Sequence, residues 1–125
     1  MQIKSRFSHF NFNVMDLEKS IAFYQKALGF TEKRRKAAGD GSFTLVYLGD
    51  GATDFSLELT WLRDRKEPYN LGDNEIHLCA QVEGDYDEIR RFHREMGCIC
   101  YENDKLGLYF IADPDGYWTE VVKAK

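Results

Sequence analysis

The sequence predicts an α+β protein built from two tandem β-α-β-β-β modules. Two observations lead to this prediction. A strand in which apolar and polar residues alternate is followed by an amphipathic helix, and this pattern occurs twice, with His77 at the position in the second copy that His9 has in the first. Half of this chain, about sixty residues, would bury little surface alone. We therefore expect a single domain over residues 1–125, with a curved mixed sheet around a polar, concave face of the kind that binds small molecules.

The first module spans about residues 3–62 and begins with an alternating strand over residues 9–14. Its apolar residues lie on one face, and His9, Asn11 and Asn13 lie on the other. Asp16 is suited to cap a following helix and Gly29 to end it. The helix has apolar residues at helical spacing: Leu17, Ile21, Tyr24 and Leu28. Residues 43–48 and 54–62 then read as strands around a Gly-Asp-Gly turn.

The second module, about residues 75–123, repeats this order. Its predicted elements are a strand over 76–82, a helix over 86–96, and strands near residue 99, over 106–111 and over 118–122. A shift of 68 positions aligns Gly29 with Gly97. It also aligns His93 with Gln25, a polar residue of the first helix, so His93 is predicted to lie on the surface. Residues 63–74 are polar, contain Pro68 and Gly72, and are predicted to be the linker.

Composition excludes several classes of function. The net charge of -4 and the pI near 5.4 argue against nucleic-acid or anionic-membrane partners. No apolar run approaches the roughly 20 residues that span a bilayer, and the first residues lack the apolar core of a signal peptide. The three cysteines are an odd number without framework spacing, so reduced thiols and a cytoplasmic location are expected.

Four residues at matched positions in the two copies are candidate metal ligands. Each module has one histidine in its first strand, His9 or His77, and one glutamate in its last strand, Glu58 or Glu120. Any one of them alone could be an ordinary core or surface residue. Together, two imidazoles and two carboxylates suit one borderline divalent ion such as Ni²⁺, Co²⁺, Zn²⁺ or Fe²⁺, with Ni²⁺ or Co²⁺ favoured and Zn²⁺ possible. An octahedral ion would keep two positions for water or substrate, whereas a tetrahedral ion would keep none.

Several motifs give the chain a resemblance to a known family. They are the stretch from His9 to Phe30 with Phe23-Tyr24 and Leu28-Gly29-Phe30, then Leu57-Glu58-Leu59-Thr60, Tyr69-Asn70-Leu71-Gly72, and Asp113-Pro114-Asp115-Gly116-Tyr117. On these residues, which extend over nearly the whole length, the chain resembles the vicinal oxygen chelate superfamily. Within it the chain is most similar to the glyoxalase I (lactoylglutathione lyase) branch.

The resemblance implies a function and a site. The family's ligand order, His-Glu-His-Glu, falls on His9, Glu58, His77 and Glu120. The implied reaction converts the hemithioacetal of a 2-oxoaldehyde, such as methylglyoxal, and glutathione into an S-2-hydroxyacyl thiol ester. Glu120 is the expected general base, with Glu58 holding the metal or assisting from the other side. A homodimer is expected from the resemblance, and the site could close within one chain or between two.

Two departures weaken the expected contacts to glutathione. Asn13 stands where family members commonly carry an arginine, and Leu62 lies where an asparagine is expected; Arg63 is a nearby candidate to replace them. Three other functions of the same superfamily therefore stay open. They are a methylmalonyl-CoA epimerase, an iron-dependent extradiol dioxygenase, and a non-catalytic resistance or binding protein.

Overall fold

The computed structural model describes all residues, Met1–Lys125, as two compact units, Met1–Tyr69 and Asn70–Lys125. Each unit contains one four-stranded mixed sheet and one helix, in the order β-α-β-β-β. This confirms the predicted α+β class and the two tandem modules. The prediction that the whole chain is one domain stays a prediction.

In the first unit, the first and last strands of the module lie side by side. The elements are β1 (His9–Asn13), α1 (Leu17–Leu28), β2 (Thr31–Ala37), β3 (Phe43–Gly49) and β4 (Ser56–Leu62). The sheet order is β1-β4-β3-β2, with β1 parallel to β4 and the other pairs antiparallel. The α1 crossover makes the parallel pair possible, and it places residues that are far apart in sequence on neighbouring strands.

Helix α1 begins and ends as its sequence predicts. The Asp16 carboxylate accepts a hydrogen bond from the Lys19 backbone N–H at 3.1 Å, and Gly29 closes the helix in the left-handed conformation, φ 71°. The buried face of the helix packs on the sheet, so one side of the sheet is the core of the unit and the other carries the polar residues. The core includes Tyr24, Phe12, Leu57 and Leu59.

The second unit repeats the topology. Its elements are β5 (His77–Val82), α2 (Tyr86–Met96), β6 (Ile99–Asn103), β7 (Leu108–Ala112) and β8 (Trp118–Lys123), in the sheet order β5-β8-β7-β6. Strand β5 is parallel to β8, as β1 is to β4. The turn before β8 is held by the Asp113 carboxylate, which accepts from the backbone N–H groups of Asp115 and Tyr117, both at 2.9 Å.

Strand β2 was not located from its own sequence. The repeat predicted a strand directly after the first helix but not which residues form it. Its residues, TEKRRKA, show no apolar alternation, and every one is exposed. It is an outer strand that pairs only with β3, so backbone hydrogen bonds define it. Charged side chains on such an edge discourage pairing with other chains.

The prediction that His93 lies on the surface is wrong. His93 is fully buried, and its Nδ1 lies 2.7 Å from the Tyr109 hydroxyl, while Phe92 is 41% exposed. Each position of α2 that faces the sheet lies 69 residues after the corresponding position of α1. The shift that relates His9 to His77 is one residue smaller. The cause is the extra residue between β5 and the helix cap Asp85, where Gly84 has a φ of 102°. That residue rotates the helix face while leaving the strand in register.

No helix of the structure is both long and apolar enough to cross a membrane. The three cysteines Cys79, Cys98 and Cys100 are free thiols, in agreement with the prediction.

Candidate metal centre

The first unit brings His9 and Glu58 together. Strands β1 and β4 are parallel neighbours, so the two residues share one face of the sheet. The His9 Nε2 lies 3.6 Å from Glu58 Oε1; the imidazole is partly exposed and the carboxylate is nearly buried, at 42% and 12% of their side-chain areas. An exposed ring beside a buried carboxylate is an arrangement that presents both donor groups to a bound ligand.

The second unit builds the same pair from His77 and Glu120. They lie on the parallel neighbours β5 and β8, with His77 Nε2 3.1 Å from Glu120 Oε1. Here too the imidazole is the more exposed partner, 39% against 19%. Each pair therefore occupies equivalent strands of its own module.

The donor atoms in each pair have a spacing that fits metal coordination. Two ligands on one ion at about 2.1 Å lie about 3.0 Å apart as octahedral neighbours and about 3.4 Å apart as tetrahedral ones. The two Nε2–Oε1 distances, 3.1 and 3.6 Å, are close to these values. No group of three or more His, Cys, Asp or Glu side chains is placed to hold a metal ion, so the candidate donors occur as one pair in each unit.

Glu58 lies in a polar row that crosses the first sheet. The strand register aligns Asn11, Glu58, Tyr47 and Arg34, which we call the Glu58 row. The Tyr47 hydroxyl donates to the Glu58 carboxylate, and this hydrogen bond, followed by burial, raises the pKa of Tyr47. With its amide nitrogen facing acceptors, Asn11 donates to Glu58 Oε1 at 2.9 Å. Glu58 is therefore held by two side-chain donors.

Glu120 lies in the corresponding row of the second sheet, which is mostly apolar. The register aligns Cys79, Glu120, Phe110 and Tyr101, which we call the Glu120 row. Phe110 takes the place that Tyr47 has in the first unit, so no hydroxyl reaches the carboxylate from that side. Burial, and after it the negative charge of Glu120, raises the pKa of the Cys79 thiol, a weak donor. The side-chain partners of Glu120 are therefore the His77 ring, at 3.1 Å, and the weakly donating Cys79 thiol.

The rings beside the two histidines show the same difference. His9 makes an edge contact with Tyr47, at 5.6 Å between centroids, and His77 makes one with Phe110, at 4.9 Å. Both contacts limit rotation of the imidazole. Neither Tyr47 nor Phe110 was a predicted site residue, because only the pairing register shows that they lie opposite the two glutamates.

The residues at and near the expected glutathione contacts bind other groups of the protein. The Asn13 amide nitrogen lies 3.5 Å from the Tyr69 hydroxyl. Arg63, the candidate substitute, is committed elsewhere: its Nε pairs with Asp64 at 3.1 Å and its Nη1 donates to the Asp40 carbonyl at 2.9 Å. A different arginine, Arg34, lies in the Glu58 row, with its Cζ 3.8 Å from the centre of the Tyr47 ring.

The class that the fold and the site define is a protein of two tandem β-α-β-β-β modules, each with a His–Glu pair on its parallel strands. Comparison with known proteins agrees with this class. The chain belongs to the Glyoxalase/Bleomycin resistance protein/Dioxygenase superfamily, whose family model matches residues 6–121. The superfamily predicted from the motifs is thereby confirmed.

Among individual relatives, the chain is similar to the lactoylglutathione lyase of Neisseria meningitidis, with 37% identity over 96% of this chain and 91% of that protein. It is 28% identical to the lactoylglutathione lyase of Salmonella typhimurium, over 96% and 93% of the two chains. Among solved structures, the trypanothione-dependent glyoxalase I of Leishmania major superposes with a TM-score of 0.83 and 31% identity, over 96% of this chain and 87% of that one.

Proposed function

We propose that this chain is a metal-dependent lactoylglutathione lyase, which isomerises the hemithioacetal of methylglyoxal and glutathione to S-lactoylglutathione. The observation that carries the proposal is the presence of a His–Glu pair at the same place in both modules. The names of the relatives at 37% and 28% identity support the same activity. We place the reaction in the cytoplasm, where thiols stay reduced, as the three cysteines are here.

The proposed metal site combines both pairs around one divalent ion. His9 and Glu58 would supply two donors, and His77 and Glu120 the other two. This donor set suits Ni²⁺ or Co²⁺, and also Zn²⁺. When bound, the cation supplies positive charge that stabilises negative charge developing on two adjacent substrate oxygens. We propose that the four donors meet either within one chain or between the chains of a homodimer.

In this reaction the protein must move one proton between adjacent carbons. The hemithioacetal carbon loses its proton to a carboxylate, and the electron pair left behind forms the carbon–carbon double bond of an enediolate. The same carboxylate then returns the proton to the neighbouring carbon. The proton of the hemithioacetal hydroxyl passes to the former ketone oxygen, so that the hydroxyl oxygen becomes the thiol-ester carbonyl and the ketone oxygen becomes the new hydroxyl. No electron leaves the substrate, and no proton is gained or lost overall.

We propose Glu120 as the carboxylate that carries the proton, with Glu58 as the fixed ligand. Glu58 accepts hydrogen bonds from Tyr47 and Asn11, which restrict its position. Glu120 has the Phe110 ring where Glu58 has the Tyr47 hydroxyl, and its partners are the weakly donating Cys79 thiol and the His77 ring, which would itself bind the proposed metal.

The experiment is to measure thiol-ester formation from methylglyoxal and glutathione by protein loaded in turn with Ni²⁺, Co²⁺ and Zn²⁺. We expect activity with at least one metal, and one ion bound per four-ligand site. A second arm offers methylmalonyl-CoA and follows epimerisation. Epimerisation without thiol-ester formation would replace the proposal with the epimerase, and failure to bind any of the three metals would favour a non-catalytic binding protein.

The role of Glu120 is tested by Glu120→Gln. The amide keeps one ligand oxygen but cannot accept the proton, so we expect metal binding to persist while kcat falls at least a hundredfold. Glu58→Gln is the matched control, and it should lose metal affinity more than it loses turnover per bound ion. Near-normal turnover in the Glu120 variant would move the base to Glu58.

A further inference from the structure

The Glu58 row ends in an arginine that has no acidic partner. Arg34 is exposed on β2, and its guanidinium stacks on Tyr47, whose hydroxyl reaches Glu58. The neighbouring Arg35, in contrast, pairs with Glu18 and Glu32 at 3.1 and 2.8 Å. Because consecutive residues of a strand face opposite sides, Arg34 points to the side of the candidate metal pair and Arg35 to the helix side.

The Arg34 guanidinium is fixed by stacking on the Tyr47 ring and by a hydrogen bond to the Tyr47 hydroxyl, which together use only part of its five N–H donors. A guanidinium over an aromatic face keeps the N–H groups at its edge available, and these groups match a carboxylate in pairs. Arg65, the other arginine of this unit that stacks on a tyrosine, is used differently. It donates its Nε to the Glu67 carbonyl at 2.7 Å and its Nη2 to the Pro68 carbonyl at 3.1 Å.

The second sheet offers no equivalent positive charge. In the Glu120 row the position that corresponds to Arg34 is Tyr101, and its ring lies 6.0 Å from that of Phe110. One row therefore ends in a cation and the other in an aromatic ring. A substrate with an anionic part matches the cation of the Glu58 row, and the glutathione hemithioacetal of methylglyoxal is such a molecule.

We propose that Arg34 binds a carboxylate of the glutathione part of the substrate, in place of a cation at position 13. This inference rests on the proposed function and names the specificity-determining residue of that site. The carboxylates of glutathione lie one or two residues from its sulfur, and two extended residues span about 7 Å. A single tyrosine, Tyr47, separates the guanidinium from Glu58.

The test compares two non-reactive probes, S-methylglutathione and its dialkyl ester, which lacks both free carboxylates. Dissociation constants are measured for the full metal-loaded chain and for Arg34→Met. We expect Arg34→Met to weaken binding of S-methylglutathione roughly 10- to 100-fold, as a charge-assisted hydrogen-bonded pair would, and to leave the ester within about twofold. Arg34→Lys should recover part of the loss, because it restores the charge without the planar fork.

Kinetics with methylglyoxal and glutathione give a second readout. A contact to the non-reacting end of the substrate is the same in the ground and transition states, so KM should rise in Arg34→Met while kcat changes little. Arg91→Met is the matched control, since Arg91 is also an exposed arginine outside every ion pair. Its constants should equal those of the unmodified chain.

The outcomes separate this inference from the proposed function. If the unmodified chain forms no thiol ester, the proposed function fails. If it forms thiol ester and Arg34→Met binds S-methylglutathione with unchanged affinity, the function stands and the role of Arg34 is refuted. A loss in Arg65→Met instead of Arg34→Met would also refute it, and would move the carboxylate contact to the Tyr69 side of the site.

Discussion

The buried hydrogen bond between His93 and Tyr109 should be a major contributor to the stability of the second unit. Both residues are fully buried, and the Nδ1–hydroxyl distance is 2.7 Å. Tyr109→Phe removes the hydroxyl and leaves a buried imidazole nitrogen without that partner. Leaving a buried polar atom unsatisfied costs about 1–3 kcal/mol, so we expect the free energy of unfolding to fall by about 2 kcal/mol.

Urea unfolding followed by far-UV circular dichroism, at fixed protein and metal concentration, measures this change. A loss of about 2 kcal/mol corresponds to a Tm lower by about 6–8 °C for a chain of this size. Tyr101→Phe is the control, because Tyr101 is 47% exposed and its loss of a hydroxyl should stay within about 0.5 kcal/mol. If Tyr109→Phe is no more destabilising than this control, the hydrogen bond does not stabilise the fold.

The same variant has a pH signature. Burial raises the pKa of Tyr109 above its ordinary value. Above about pH 10, where a tyrosine in the unfolded chain loses its proton, the folded chain keeps the proton longer. Stability from this group is therefore complete below that pH and declines as pH rises. The destabilisation caused by Tyr109→Phe should shrink between pH 9 and 11 (roughly the titration range of unfolded tyrosine); a constant difference would contradict the raised pKa.

Three further predictions concern the metal and the helix ends. Dialysis against a chelator should abolish thiol-ester formation while leaving the far-UV circular dichroism largely unchanged, and Ni²⁺ should restore activity; activity that survives complete removal of metal would rule out a metal-dependent mechanism. Asp16→Ala should lower the free energy of unfolding by about 1 kcal/mol, because the hydrogen bond that caps the helix at Lys19 is lost. Asp16→Asn should keep most of the stability, since its amide oxygen can still accept that bond; equal losses in both variants would show that the cap is not responsible. Gly97→Ala should cost about 1 kcal/mol in urea unfolding because of its φ of 73°, whereas Gly39→Ala should be near neutral; a neutral Gly97→Ala would refute the argument from backbone strain.

The repeat made most of the fold predictable. Matching strand and helix patterns located both helices to the residue, including the caps at Asp16 and Gly29, because apolar spacing and capping chemistry are local. Strand β2 was not located, because its stability comes from pairing with β3 and leaves no pattern in its own residues. Local patterns cannot report an edge strand of this kind.

The pairing of a histidine with a glutamate in each module was also predictable, but the surroundings of each pair were not. Alternation in the strands correctly placed His9 with Glu58 and His77 with Glu120 on the same faces. Tyr47 and Arg34 depend on the register between strands, which the sequence of any one strand does not contain. The four-ligand site and its metal stay predictions, to be tested by metal binding.

The loop that contains Gly84 lets the strand before it and the helix after it follow different shifts relative to the first module. Strand β5 keeps the position in the sheet that β1 has in the first module. Helix α2 is rotated by one residue and buries a different set of side chains. An insertion there consequently changes the hydrophobic support of the module without displacing His77. Short length changes in this loop are thus a means of engineering stability in the second module independently of its chemistry, which a substitution within β5 could not achieve.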